Sequence, residues 1–198
     1  MEFFDGTNMV PMMRNRAPNK GKWFAGVAPS IVKELRAMTV RPLSEEWIMQ
    51  TPGVLLQEAR LRAAAKQLPY SGVLTPGEAW QVLQELPAAR LVDVRCSAEW
   101  HFVGVVPNAT LIEYKTFPGM LENPHFLTQL KQQVDPESLV LFLCRTGGRS
   151  DQAARLAAAH GYSNAMNILE GFDGELDQQG HRARINGWRA CGLPWVQS

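Results

Sequence analysis

The chain has 198 residues, 45% apolar and 20% charged, with a formal net charge of +1 at pH 7. This is a globular balance, long enough for one domain of ordinary size plus an extension. A charge so near neutral gives no reason to expect nucleic acid as a partner, and the apolar runs are far too short to span a bilayer, which argues against stable membrane association.

The charge is unevenly spread. Residues 1–41 hold seven Lys/Arg against three acids, and the remainder holds thirteen against sixteen. This first stretch is rich in Met, Pro and Asn, with a helical hint only over Trp23–Met38, and reads as a poorly ordered N-terminal tail. A weak membrane-surface or partner-binding arm is the functional alternative, and Met38 offers an alternative start. Met1-Glu2-Phe3-Phe4-Asp5 lacks the basic start of a secretory signal. Cys96, Cys144 and Cys191 make no disulfide framework and fit a reducing compartment, so the expected location is cytoplasmic.

Residues 42–70 read as a helical extension. Ser44-Glu45-Glu46 can open a turn, Pro52-Gly53 reads as a break, and Val54, Leu55, Ala59, Leu61, Ala64 and Leu68 recur along a helix on the domain's outside. Thr75-Pro76-Gly77-Glu78 combines an N-cap, a proline at the first helical position and an acid three residues after the cap. Ala89–Val94 is a strand that ends in Asp93-Val94-Arg95, charged residues where open parallel sheets place their sites; a supporting ion pair is the role expected of Asp93 and Arg95. A short helix at Ser97–Trp100, a strand at Ala109–Ile112 and a helix at His125–Val134 follow.

The run Leu139–Leu143 is apolar throughout and predicts a strand buried on both faces. It ends in Cys144-Arg145-Thr146-Gly147-Gly148-Arg149-Ser150, after which alanines recur at helical spacing with Ser150 as N-cap. Cys144 therefore sits where a strand stops and a helix N-terminus points at it. The first N–H groups of a helix lack intrahelical partners and carry partial positive charge. Glycines let several such groups converge on one point, and two arginines add fixed charge. Such a site binds an anion and lowers a thiol from about 8.5 toward or below neutrality. Cys144 is thus the expected nucleophile, in a cradle built from Arg145, Thr146, Gly147, Gly148, Arg149 and Ser150.

Gly161 suits the end of that helix. A last strand at Ala165–Leu169, a turn at Glu170–Gly174 and a short helix at Gly187–Gly192 complete the chain. Alternation of strand and helix from residue 72 predicts an α/β fold with a parallel sheet and helices on both faces.

From about Ser71 to Trp195 the chain resembles a single-domain rhodanese. The resemblance rests on Leu74–Ala79, Asp93-Val94-Arg95 with Glu99-Trp100, the Cys144–Ser150 loop, Gly161-Tyr162, Glu170-Gly171-Phe172, and Gly187–Trp195. It implies a five-stranded parallel sheet, a catalytic domain over residues 71–198 preceded by an N-terminal extension, and a sulfurtransferase activity. Cys144 would carry sulfur as a persulfide held by the main-chain amides of Arg145 to Ser150. The donor would be thiosulfate or a protein or low-molecular-weight persulfide, and the acceptor a thiol or cyanide. Arg145 or Arg149 would hold the donor's anionic end. No metal and no organic cofactor is implied.

The chain departs from the family in places. Gly104-Val105-Val106-Pro107 stands where the family often shows Gly-His-Ile-Pro, and Glu175–Asn186 lengthens the connection to Trp188 as a lid or docking loop. Cys191 is expected in the core, and Cys96 is expected to be structural rather than a second redox thiol. His101, His125, His160 and His181 show no metal spacing. Two competing functions stand beside this one. A cysteine-dependent phosphatase or arsenate reductase would place one residue more between cysteine and arginine than the four found here. A non-catalytic interaction module would need no cysteine at all.

Overall fold

The computed structural model describes residues 51–197, so the readings made on 1–41, Met38 and Ser44–Glu46 lie outside the described residues. Helix α1 runs Pro52–Ala65. Pro52-Gly53 opens this helix rather than breaking the chain: a proline in the first turn forfeits no intrahelical bond, and its φ is already helical. Leu55, Ala59 and Ala63 are its buried stripe, four residues apart. Arg62 grips Glu78 with both terminal nitrogens at 2.6 Å and donates to the Val73 carbonyl, so α1 is fastened to the sheet.

Strand β1 (Gly72–Leu74) leads into α2 (Pro76–Glu85). The expected cap is present: Thr75 Oγ1 accepts from the Glu78 N–H, and the Glu78 carboxylate accepts from the Thr75 N–H. Then follow β2 (Arg90–Asp93), α3 (Ser97–Val103) and β3 (Thr110–Leu111). A hairpin of β4 (Lys115–Thr116) and β5 (Leu121–Glu122) was not legible in the sequence, since two residues per strand leave no periodicity. After α4 (Phe126–Gln133) come β6 (Val140–Leu143), α5 (Gly148–Ala159) and β7 (Ala165–Ile168).

The main sheet has five strands in the order β1-β7-β6-β2-β3, all parallel. Successive side chains of β6 point to opposite faces. Leu141 and Leu143 pack with Leu55, Val82 and Trp188 on the α1–α2 side, while Val140, Phe142 and Cys144 join Leu130, Ala153 and Ala157 on the α4–α5 side. Asp93 pairs with Leu143, so the chain leaves β2 and β6 side by side at the carboxyl edge, where such sheets place their sites.

The segment expected to form a helix at Gly187–Gly192 is a series of turns. Gly187 (φ 96°) and Gly192 (φ 67°) lie in the left-handed region, and the hydrogen bonds Cys191 N–H to Gly187 and Gly192 N–H to Arg189 do not propagate. Among the described residues no helix is long and apolar enough to cross a membrane.

Candidate functional site

Cys144 is the first residue beyond β6, and α5 begins only four residues later, at Gly148. Gly147, at φ 92°, turns the chain in a left-handed conformation that an L side chain rarely adopts and takes the N-cap place. Ser150 is therefore not the cap but the third helical residue. Its hydroxyl reaches back, lying 3.2 Å from Cys144 Sγ and 3.0 Å from the Gly147 carbonyl. The Gly147 N–H donates to Sγ at 3.1 Å, and among the described residues it is the main-chain donor on that sulfur. The N–H groups of Gly148, Arg149 and Ser150 are the opening donors of α5, without intrahelical acceptors. The thiol is 1% exposed, so it lies at the floor of the loop with donors aimed at it.

The loop is held from beneath by the turn after β7. Phe172 N–H donates to the Cys144 carbonyl at 2.7 Å, Asp173 N–H to Arg145 at 2.9 Å, and the Asn167 amide to Gly147 at 3.3 Å. Gly171, at φ 65°, lets these backbones approach: a Cβ there would strike the Cys144 carbonyl and lie 2.6 Å from the Thr146 nitrogen. Gly171→Ala is expected to cost about 1–3 kcal/mol of stability and to change the alkylation rate of Cys144. Thermal melting and mass-resolved labelling check this; a variant with the parent's melting temperature and labelling rate would show that the turn does not set the loop.

The two loop arginines have different partners. Arg149 makes a two-pronged pair with Glu99 at 2.6 and 2.7 Å, both side chains being largely buried. Burial opposes the Glu99 charge, but the Arg149 guanidinium and hydrogen bonds from Cys96 outweigh it and hold the carboxyl at about 2. Burial also pushes the Cys96 thiol up, and its hydrogen bond to Glu99 at 3.1 Å adds to this, so Cys96 keeps its proton. Arg145 is half-exposed and stands 3.4 Å from Asp173, which Arg189 also approaches at 3.1 Å.

Asp93 and Arg95 form an ion pair with both side chains fully buried. Arg95 also donates to the Gly104 carbonyl at 2.7 Å, and its guanidinium lies 3.9 Å over the Phe172 ring. The pair braces the strand end and the turn under the loop. Where the family's histidine is missing, Val105 pairs through its backbone with Val196. Cys191, expected in the core, is exposed, because the turns that replace the expected helix leave it outside. All four histidines lie on the surface.

A groove of about 610 Å³ opens above the loop, lined by Arg145, Thr146 and Arg149, by Phe117 and Met120 of the hairpin turn, and by Arg182. Sequence reasoning missed three contributors. Glu99 and Gly171 are singled out only as part of the family resemblance, and Arg182 only as a member of the Glu175–Asn186 segment expected to act as a lid or docking loop.

Residues 75–175 match the Rhodanese-like domain family. The solved structure of Rv0390 from M. tuberculosis is similar, with 44% identity and a TM-score of 0.61, covering 65% of this chain and 99% of that one. The uncharacterized protein RP600 of Rickettsia prowazekii is 35% identical over 111 residues, 54% of this chain and 82% of the relative. The thiosulfate sulfurtransferase GlpE of Haemophilus influenzae is 28% identical over 101 residues, 51% of this chain and 84% of that protein.

Proposed function

Since the chain belongs to the Rhodanese-like domain family, we propose that it is a sulfurtransferase carrying sulfane sulfur on Cys144 as a persulfide. The Cys144 thiolate attacks the sulfane sulfur of a donor such as thiosulfate or a protein or low-molecular-weight persulfide. A bond forms between Sγ and that sulfur, the donor's own S–S bond breaks, and sulfite (or the donor thiolate) departs with the electron pair. The persulfide's terminal sulfur then carries the negative charge. Cyanide or an acceptor thiolate attacks that sulfur, and Cys144 returns as a thiolate. This is covalent catalysis in two half-reactions, and the steps call on no metal or organic cofactor.

The observation that carries the reading is the pair of donors on one recessed sulfur, the Gly147 N–H and the Ser150 hydroxyl, at the start of α5. The single Ser150 proton turns from the Gly147 carbonyl to the sulfur when the sulfur is the anion. The helix N-terminus adds partial positive charge at the same point. Three unpaired cysteines support a reducing compartment such as the cytoplasm.

The phosphatase alternative would need Arg149 to clamp a phosphate, yet both of its prongs are committed to Glu99. An interaction module has no need of two donors on a thiol. The deciding experiment sets thiosulfate-to-cyanide turnover beside hydrolysis of an aryl phosphate. The expected result is ping-pong turnover of the first pair and none of the second; aryl phosphate hydrolysis alone, or neither reaction with any sulfane donor, would overturn the reading.

A further inference from the structure

The charges around the groove are unequally compensated. Arg149 is neutralised by Glu99, and Arg145 faces Asp173. Arg182 has no ion-pair partner among the described residues. Its Nη1 donates to the Gly174 carbonyl at 2.6 Å, while its Nε is buried without an acceptor. Its position is fixed. The neighbouring Ala183 N–H bonds the Asp173 carbonyl at 2.7 Å, and the Asp173 N–H in turn holds the Arg145 carbonyl, two main-chain steps from the residue beside Cys144. The 175–186 segment is also closed at its base, with Glu175 N–H on Asn186 Oδ1 at 2.8 Å.

We propose that Arg182 is a specificity-determining residue that binds the anionic end of the sulfur donor in the groove above the loop that follows Cys144. The identity of that anion as a sulfur donor rests on the sulfurtransferase reading; the anion preference itself does not. A guanidinium with no ion-pair partner among the described residues adds positive charge to a groove that it lines together with Arg145, Thr146 and Arg149, and so favours an anion there. With Nη1 on the Gly174 carbonyl and Nε buried, Nη2 is the nitrogen left to donate to a sulfonate or carboxylate oxygen. The lengthened connection thus works as the selector of donor class. Donors bearing a sulfonate or carboxylate beside the transferred sulfur are favoured, whether thiosulfate or a carboxylate-bearing persulfide, and neutral persulfides are not.

The test reads the preference without any sulfur transfer. Alkylation of Cys144 by anionic iodoacetate and neutral iodoacetamide is followed by peptide mass, which separates it from labelling of the exposed Cys191. In Arg182→Gln the iodoacetate-to-iodoacetamide rate ratio is expected to fall roughly tenfold, and Arg182→Lys should restore most of it. A ratio unchanged in Arg182→Gln overturns the proposal. So does an equal slowing by both reagents, which would show only a disturbed fold. In turnover, Arg182→Gln should raise KM for thiosulfate and for a carboxylate-bearing persulfide about tenfold, with kcat within about twofold. A protein that labels with the expected charge preference but moves no sulfur would sink the sulfurtransferase reading and leave Arg182 as an anion-binding residue.

Discussion

Cys144→Ala is expected to lower thiosulfate-to-cyanide turnover by roughly a thousandfold or more. The step needs a nucleophilic sulfur at the end of β6, under the Gly147 amide and the Ser150 hydroxyl, and alanine puts a methyl group there. Neither other cysteine replaces it. Cys96 lines the same groove, but burial and the Glu99 carboxylate keep its thiol protonated, and Cys191 sits in exposed turns outside the core. The substitution removes one buried sulfur and fits the backbone of the site, so folding should be largely kept. A melting temperature near that of the parent with turnover gone separates lost chemistry from lost structure. Turnover within about tenfold of the parent would mean that the reaction does not pass through Cys144.

Arg95→Leu should be among the most damaging changes to stability outside the loop. The pair with Asp93 has no exposed side-chain surface, and its two partners share three close nitrogen–oxygen contacts between 2.6 and 3.0 Å. Among the described residues, removing the guanidinium leaves the buried carboxylate with the Arg95 main-chain N–H as its donor. Breaking a buried pair in this way costs about 3–5 kcal/mol, mostly through the charge left behind rather than through the attraction lost. The Gly104 carbonyl and the face of Phe172 lose their partner at the same time. For a domain of this size the melting temperature should fall by roughly 6–20 °C. Asp93→Asn combined with Arg95→Leu should recover part of the loss, because the stranded charge is then gone. A single variant that loses less than about 1 kcal/mol in denaturant melts would show that the pair does not brace the strand end.

Features written in contiguous residues were legible in the sequence. The apolar run before Cys144, the capping box at Thr75 and Glu78, and the glycine turn into α5 each have a local physical cause, and all three appear where expected. Local reasoning failed where two local signals competed. Ser150 has the right chemistry for an N-cap, but Gly147 can take a left-handed φ at no steric cost, so the helix starts earlier and the serine is released to face the sulfur. Pro52-Gly53 can end one helix or begin another, and only the stripe of Leu55, Ala59 and Ala63 against the sheet decides between them. Contacts across long stretches of chain were out of reach altogether. Nothing local to Arg149 announces Glu99 fifty residues earlier, and nothing local to Gly171 announces that its missing side chain makes room for the Cys144 carbonyl. The exposure of Cys191 follows from left-handed glycines on either side of the last turns, a conformation that residue type permits without requiring.

We infer that residue 144 carries the transferred sulfur beside the Gly147 amide and the Ser150 hydroxyl at the start of α5. It is tested most directly by the intact mass of the protein after incubation with thiosulfate and removal of excess reagent, followed by peptide mapping. The expected result is a gain of one sulfur atom confined to the peptide containing Cys144, released by cyanide and absent in Cys144→Ala. Sulfur found on the peptides of Cys96 or Cys191, or a gain that persists in Cys144→Ala, would contradict it.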